Sequence, residues 1–140
     1  LLVVEALLQF ERRSAAGAGE IARARRRGWR FLLDRRLGFE PGERAKRAWA
    51  SFSFPPYWFY DYLTALDCLR DSGGDRDHGA QDAIDLVRAR RRQDGRWGRG
   101  ARHFGRTYFD MEVPGEPSRW NTLRAMRVLE WWGDPRSAVS

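Results

Sequence analysis

The stretch Gln93-Asp94-Gly95-Arg96-Trp97 follows an amphipathic run that covers residues 81–92. A helix that ends here leaves its last carbonyl groups without intrahelical donors, so the chain that follows has to supply them. Gly95 can adopt the positive φ angle of a helix-ending turn. Gln93 can bridge this helix end to a neighbouring helix, and the flat ring of Trp97 can cover that bridge. The stretch therefore predicts a structural clasp between helices, made by Gln93, Gly95 and Trp97.

The composition indicates one globular domain over residues 1–140. Hydrophobic residues make up 42% of the 140 residues, and 7 Trp and 8 Phe are too many for a disordered chain. The net charge is +7, and a single lysine, Lys46, stands among the 26 basic residues. This preference for arginine suggests a coding bias at least as strongly as a phosphate-binding surface. The composition thus predicts no specific nucleic-acid partner.

The single cysteine, Cys68, excludes an internal disulfide and fits a reducing compartment. No apolar run reaches the roughly 20 residues of a membrane-spanning helix, and no secretion signal opens the chain. We therefore expect a cytoplasmic protein without a transmembrane segment. The chain opens on Leu1-Leu2-Val3-Val4, which resembles the middle of a helix, so we expect it to be a fragment of a longer protein.

Helical periodicity predicts five helices, at residues 1–13, 20–37, 57–71, 81–92 and 118–132. Pro55 and Pro56 are expected to open the third helix, and Ser118 to cap the fifth. Residues 38–53 are predicted to form a long surface loop. Residues 108–113 are the only candidate strand.

Apolar stripes predict which side of each helix is buried. The stripes are Val3, Ala6, Leu7 and Phe10 in the first helix; Ile21, Ala24, Gly28, Phe31 and Leu32 in the second; Trp58, Tyr62, Ala65, Leu66 and Leu69 in the third; Ala80, Ala83, Ile84 and Val87 in the fourth; Leu123, Met126, Val128 or Leu129, and Trp132 in the fifth. Similar pairs recur in alternate helices, such as Leu32-Leu33 with Leu86-Val87. A repeat of two unlike helices predicts an all-α fold of stacked antiparallel hairpins.

Three motifs resemble a known family. Residues 83–87 followed by 93–97 resemble the QW repeat of squalene cyclases and of the prenyltransferase and squalene-oxidase repeat group. Residues 54–61 and 117–123 are similar to the inner-helix openings of bacterial squalene-cyclase-like proteins. The resemblance implies an α/α toroid of terpenoid-cyclase type, with helices one, three and five inside and helices two and four outside. It also implies that a closed toroid needs more helices than this chain has.

The family's chemistry has only partial counterparts in this sequence. The resembled cyclases protonate an alkene with an Asp-x-Asp-Asp-Thr motif, and no such string occurs, so the catalytic residues are unknown. The related protein prenyltransferases bind zinc through Asp, Cys and His. Asp67-Cys68, His78 and His103 do not have the spacing of a metal site. We therefore expect no metal and no cofactor.

An aromatic set with a nearby acid is the candidate ligand-binding site, formed by Trp58, Tyr60, Asp61, Tyr62 and Trp120. On inner helices such rings can line an apolar cavity and attract cations, although aromatic residues at helical spacing also form ordinary cores. The first functional hypothesis is a squalene-cyclase-like repeat protein that binds an apolar or isoprenoid ligand. The alternatives are a non-catalytic protein-interaction module and a basic nucleic-acid-binding domain. Apolar residues at both ends of the helical row predict self-association.

Overall fold

The computed structural model of the chain describes residues 1–14, 17–39, 48–57, 59–100 and 108–134. These residues form five helices, which are α1 (Leu2–Arg13), α2 (Ala18–Asp34), α3 (Tyr62–Asp71), α4 (Gln81–Ala89) and α5 (Arg119–Trp132). Two short strands, β1 (Trp97–Gly98) and β2 (Pro117–Ser118), pair antiparallel, with Trp97 opposite Ser118. The mainly helical class predicted from the sequence is confirmed. Among the described helices, none combines the length and apolar character needed to cross a membrane.

Helix α3 forms the centre of the core because most of its side chains are apolar. Tyr62, Leu63, Ala65, Leu66 and Leu69 are almost fully buried. The helix contacts both α4 and α5, while α1 packs on α2. Because burial of apolar surface contributes about 25 cal/mol per Å², the burial of these side chains stabilises the fold.

Helix α4 buries the side that the sequence predicted. Ala83, Ile84 and Val87 are at most 1% exposed, and Ala80 is equally buried in the 3₁₀ turn (His78–Ala80) just before the helix. The predicted stripe is therefore confirmed here, because one side of α4 is apolar and the other charged.

Helix α3 begins at Tyr62, so the prediction that Pro55 and Pro56 open it is wrong. The side chain of Asp61 accepts a hydrogen bond from the backbone N–H of Thr64 at 2.7 Å, which fixes the helix start. Tyr57 has a φ angle of 48°, which a continuous right-handed helix does not allow.

Helices α2 and α4 end earlier than predicted. After α2, Leu37 lies in a 3₁₀ turn with a φ angle of 54° and is buried, so the chain leaves the helix to place this side chain in the core. After α4, the N–H of Arg92 donates to the carbonyl of Arg96 at 2.8 Å. This tight turn replaces the last helical turn predicted up to Arg92.

The buried side of α1 is displaced by one residue from the prediction. Val4 and Leu8 are buried, whereas Val3 is 72% exposed and Phe10 is also exposed. A Cβ atom at Gly28 of α2 would lie 2.6 Å from a methyl group of Val4, so the absence of a side chain there admits Val4. The close approach of the two helices decides which side of α1 is covered.

The predicted stripes of α2 and α5 are also partly wrong. In α2, Trp29 is buried and its Nε1 donates to the hydroxyl of Ser72 at 3.0 Å, whereas Phe31 is exposed. In α5, Arg124 is buried and Leu123 is half-exposed. Polar side chains with partners across the fold occupy positions that an apolar pattern assigns to the surface.

The predicted loop and strand differ from the structure. Ala50 and Phe52, at the end of the predicted surface loop, are buried, and residues 40–47 of that loop lie outside the described residues. Residues 108–113 form no strand, and the side chains of Tyr108 and Phe109 are exposed. The carbonyl of Glu112 instead accepts from the guanidinium of Arg99, so side-chain bonds hold this segment.

Candidate ligand groove

The aromatic side chains predicted to line one cavity belong to two separate groups. Tyr60 and Tyr62 are edge-to-face, with ring centroids 5.9 Å apart, and Trp49 packs on both. Trp120 instead stacks on Phe54, at 5.0 Å between centroids and 11° between planes, and is 39% exposed. The structure therefore does not bring Trp120 into the group of Tyr60 and Tyr62.

Tyr60 and Tyr62 are held as part of the core. The hydroxyl of Tyr60 donates to the carbonyl of Leu37 at 2.7 Å. Burial, followed by the neighbouring Tyr62, raises the pKa of Tyr60 well above its ordinary value, so the hydroxyl stays protonated. Trp58, the remaining ring of the predicted set, lies outside the described residues.

Asp61 has a structural role at the start of α3. Its carboxylate is buried and accepts from the backbone N–H groups of Thr64 and Ser53. Burial raises the pKa of Asp61, while Arg124 and these hydrogen bonds oppose the rise. The carboxylate thus joins the segment before α3 to the helix, and its oxygens face backbone amides.

The predicted clasp is present in part. Gly95 has a φ angle of 79°, but it lies in the turn that follows α4, because the helix already ends at Ala89. The buried indole of Trp97 donates from Nε1 to the carbonyl of Val87 at 2.7 Å, and its backbone N–H donates to the hydroxyl of Thr122 at 3.1 Å. Gln93 is exposed, so the prediction that it bridges the helices beneath Trp97 is wrong. The indole N–H of Trp97 itself binds a carbonyl group near the end of α4.

A groove runs between α1, α3 and residues 54–57 and 59–60. It consists of two clefts, of about 260 and 290 Å³, and Glu5 and Thr64 line both. One cleft is apolar and aromatic, lined by Leu1, Leu2, Val3, Tyr57, Phe59 and Tyr60. The other is more polar and reaches Asp67, Cys68, Asp71 and Arg124. Together the two clefts, named here the α1–α3 groove, reach the size of small-molecule sites, about 300–1,000 Å³.

A chain of ion pairs forms the polar end of the groove. The buried guanidinium of Arg124 donates to Asp67 at 3.1 Å and to the hydroxyl of Thr64 at 2.9 Å. Arg70 lies 2.8 Å from the other oxygen of Asp67 and 2.5 Å from Asp71. Asp67 and Asp71 therefore each have a cationic partner, and charge-assisted bonds fix the positions of these side chains.

Glu5 differs from these acids because it has no counter-ion. It is half-buried on α1, and its carboxylate makes no hydrogen bond or ion pair with any of the residues that the structure describes. It lies where the apolar and polar clefts meet. A carboxylate in such a position keeps its full attraction for a cation that enters the groove.

Cys68 lines the polar cleft but is poorly suited to nucleophilic chemistry. Burial, with Glu5 as the next cause, raises the pKa of its thiol to about 11, so the reactive thiolate is scarce near neutral pH. His78 is exposed in the turn before α4, and His103 lies outside the described residues. Within the part of the chain that the structure describes, His, Cys, Asp and Glu form no group of three that can hold a metal.

Arginines after α4 hold the local backbone. Arg91 donates from Nε to the carbonyl of Gly95 at 3.1 Å, and Arg92 donates from Nη1 to the carbonyl of Gly115 at 3.0 Å. Two of the cations that a nucleic-acid surface would use thus stabilise the turn before β1 and its attachment to the chain before β2.

No sequence motif pointed to Glu5, Thr64 or Arg124. One signal was present, because Thr64, Asp67 and Asp71 recur at helical spacing on the polar side of α3. That pattern indicates a polar face on α3, but it does not indicate that residues of α1 and α5 lie against this face.

The α1–α3 groove brings together residues from α1, α3, α5 and the segment before α3. A function can be argued from its apolar cleft and from Glu5, the groove carboxylate that has no ionic partner in the part of the chain that the structure describes. Comparisons of this chain with models of protein families, with curated proteins and with solved structures found no match.

Proposed function

We propose that this chain is a helical repeat module that binds an elongated apolar small molecule, including molecules of isoprenoid type, in the α1–α3 groove. The observation that carries the proposal is the apolar cleft of about 290 Å³, in which six apolar or aromatic side chains surround one space. Leu2, Val3, Tyr57 and Phe59 each remain 42–72% exposed there. Apolar side chains gathered at one surface cleft are typical of binding sites.

The strain at Tyr57 supports the same site. Its φ angle of 48° is unusual for a residue with a Cβ atom, and such conformations cluster at ligand-binding positions. In this conformation Tyr57 lines the apolar cleft next to Leu1 and Leu2. The segment before α3 thus holds Tyr57 in a conformation of higher free energy, and this conformation places an aromatic side chain at the groove.

The resemblance of residues 93–97 to the QW repeat favours the same class of ligand. In this proposal the chain contributes helical hairpins to an α/α toroid of the squalene-cyclase-like kind, and the single Cys68 fits a cytoplasmic location. The proposal is one of binding rather than cyclisation. Asp61, the acid next to the aromatic residues, is buried and accepts from two backbone N–H groups, which leaves it poorly placed to protonate a ligand.

Calorimetric titration with farnesol, an isoprenoid alcohol, tests the proposal. We expect saturable one-to-one binding that is weakened about fivefold or more by Phe59→Ser, because the variant removes apolar contact area from the cleft. Phe31→Ser is the matched control, since Phe31 is also exposed but lies on α2, outside the groove. Equal effects of the two substitutions, or no saturable binding, would refute the site.

A protein-interaction module is the second candidate, favoured by the segment 108–113. The side chains of Tyr108, Phe109 and Val113 are exposed, with Tyr108 making no packing contact that covers its ring. Adjacent exposed apolar side chains favour association with another protein surface, including a second copy of this chain. Sedimentation should then show self-association that Phe109→Ser reduces. A monomer at all concentrations would remove this candidate for self-association.

A further inference from the structure

Among the described residues, Glu5 places a negative charge without an ionic partner where the apolar and the polar cleft of the groove meet. The carboxylate is half-buried, lines both clefts and has no ion pair or hydrogen bond within the described residues. By contrast, the other two acids that line the groove, Asp67 and Asp71, are paired with arginines. A partly desolvated carboxylate gains free energy when a cation approaches it.

The walls beside Glu5 also favour a cation. Tyr57, Phe59 and Tyr60 line the same cleft as Glu5. The negative face of an aromatic ring attracts an organic cation, and carboxylates combined with several rings form sites for alkylated ammonium groups. A metal ion or a hydrated inorganic cation would gain little from these rings, because its water shell keeps it away from them.

An anionic head group fits the same groove poorly. Among the described residues, Arg124 is the only cationic side chain that lines the two clefts, and it is already bonded to Asp67 and Thr64. Its remaining nitrogen, Nη1, is enclosed by protein atoms and does not face the open groove. An anion would therefore meet Glu5 without gaining a free cationic side chain from the described residues.

We propose that the α1–α3 groove recognises amphiphilic organic cations, with an ammonium group beside Glu5 and an apolar chain along Leu2, Val3 and Tyr57. This inference rests on the proposed apolar-ligand function and adds the charge of the ligand. The carboxylate and the rings select the head group, and the apolar cleft holds the chain. A neutral apolar molecule occupies the same cleft with lower affinity.

Three probes with the same alkyl chain separate the two ideas, namely decyltrimethylammonium, decanol and decanoate, each well below its micelle concentration. Calorimetry on the 140-residue chain should give about tenfold tighter binding of the ammonium than of the alcohol, which corresponds to about 1.4 kcal/mol, with decanoate weakest. In Glu5→Gln the ratio between ammonium and alcohol should fall close to one. Glu20→Gln, an equal charge change at an exposed residue of α2, should keep the ratio of the unmodified chain.

The possible failures are distinguishable. Equal binding of the ammonium and the alcohol to the unmodified chain would overturn the cation inference and leave the apolar groove standing. Tightest binding of decanoate would also overturn it, and would assign the groove to anions. Binding of none of the three probes would overturn the cation inference together with the proposed function.

Discussion

Replacing Trp97 with phenylalanine tests how α4 is joined to the rest of the fold. The Trp97 ring is almost fully buried, and its Nε1 donates to the carbonyl of Val87 at 2.7 Å. Phenylalanine keeps most of the apolar contact area but cannot donate this hydrogen bond. Since a buried acceptor left without its partner costs about 1–3 kcal/mol, we expect Trp97→Phe to lower the free energy of unfolding by that amount. Trp97→Ala also removes the ring, and should cost about 3–5 kcal/mol.

Urea denaturation followed by far-ultraviolet circular dichroism measures these changes without depending on tryptophan fluorescence. Two controls belong to the experiment. Trp120→Phe keeps the stacking on Phe54 at a partly exposed position, and Gln93→Ala changes an exposed side chain, so each should shift the free energy of unfolding by less than about 0.5 kcal/mol. Two results would contradict this reasoning. Either Trp97→Phe shifts the free energy of unfolding as little as the controls do, or Gln93→Ala lowers it as much as Trp97→Phe does. In either case the indole hydrogen bond would not be what joins α4 to the chain after it.

Gly79→Ala should destabilise the fold by about 1–3 kcal/mol, because its Cβ would lie 2.7 Å from the carbonyl carbon of Leu33. The control is Gly19→Ala, in open space on α2, which should be neutral or stabilising. Equal denaturation midpoints of the two variants would contradict this prediction. Burial raises the pKa of Asp61 above its ordinary value of 3.8. The contribution of this group to the free energy of unfolding is therefore fully present below pH 3.8 and is lost as the pH rises through the raised pKa. Asp61→Asn should therefore flatten the dependence of the free energy of unfolding on pH in this range, and parallel profiles would refute the burial argument. With its pKa raised to about 11, Cys68 should react with iodoacetamide far more slowly in the folded chain than in urea at about pH 9, and equal rates would contradict its burial.

The parts of the fold that the sequence predicted well are those set by local patterns. Ser118 accepts a hydrogen bond from the N–H of Asn121 at 2.9 Å, as its predicted capping role requires. Helix α4 buries the predicted side because its apolar and charged residues are cleanly separated. The covered side of α1 was missed because it depends on the contact between Val4 and Gly28, and no pattern within α1 encodes that contact.

The candidate site was less predictable because it depends on long-range partners. The sequence indicated that Trp97 covers a helix end, but the turn closed by Arg92 and Arg96 leaves Gln93 in solvent and turns the indole N–H towards Val87. The grouping of aromatic residues also failed for a spatial reason, since Trp120 stacks on Phe54 away from the rings near α3. Glu5 is prominent only once the structure shows that, of the groove acids, it has no cationic partner among residues 1–14, 17–39, 48–57, 59–100 and 108–134.

The central claim is that the α1–α3 groove is the ligand-binding site, and methyl nuclear magnetic resonance during a farnesol titration tests it most directly. We expect saturable shifts of the Leu2, Val3 and Leu8 methyl signals, because these residues line the groove. The methyl signals of Ile84 and Val87, buried in α4, should stay within error of their starting positions. Shifts confined to α4 or to other surfaces, or no saturable shift of the groove methyl groups, would contradict the account.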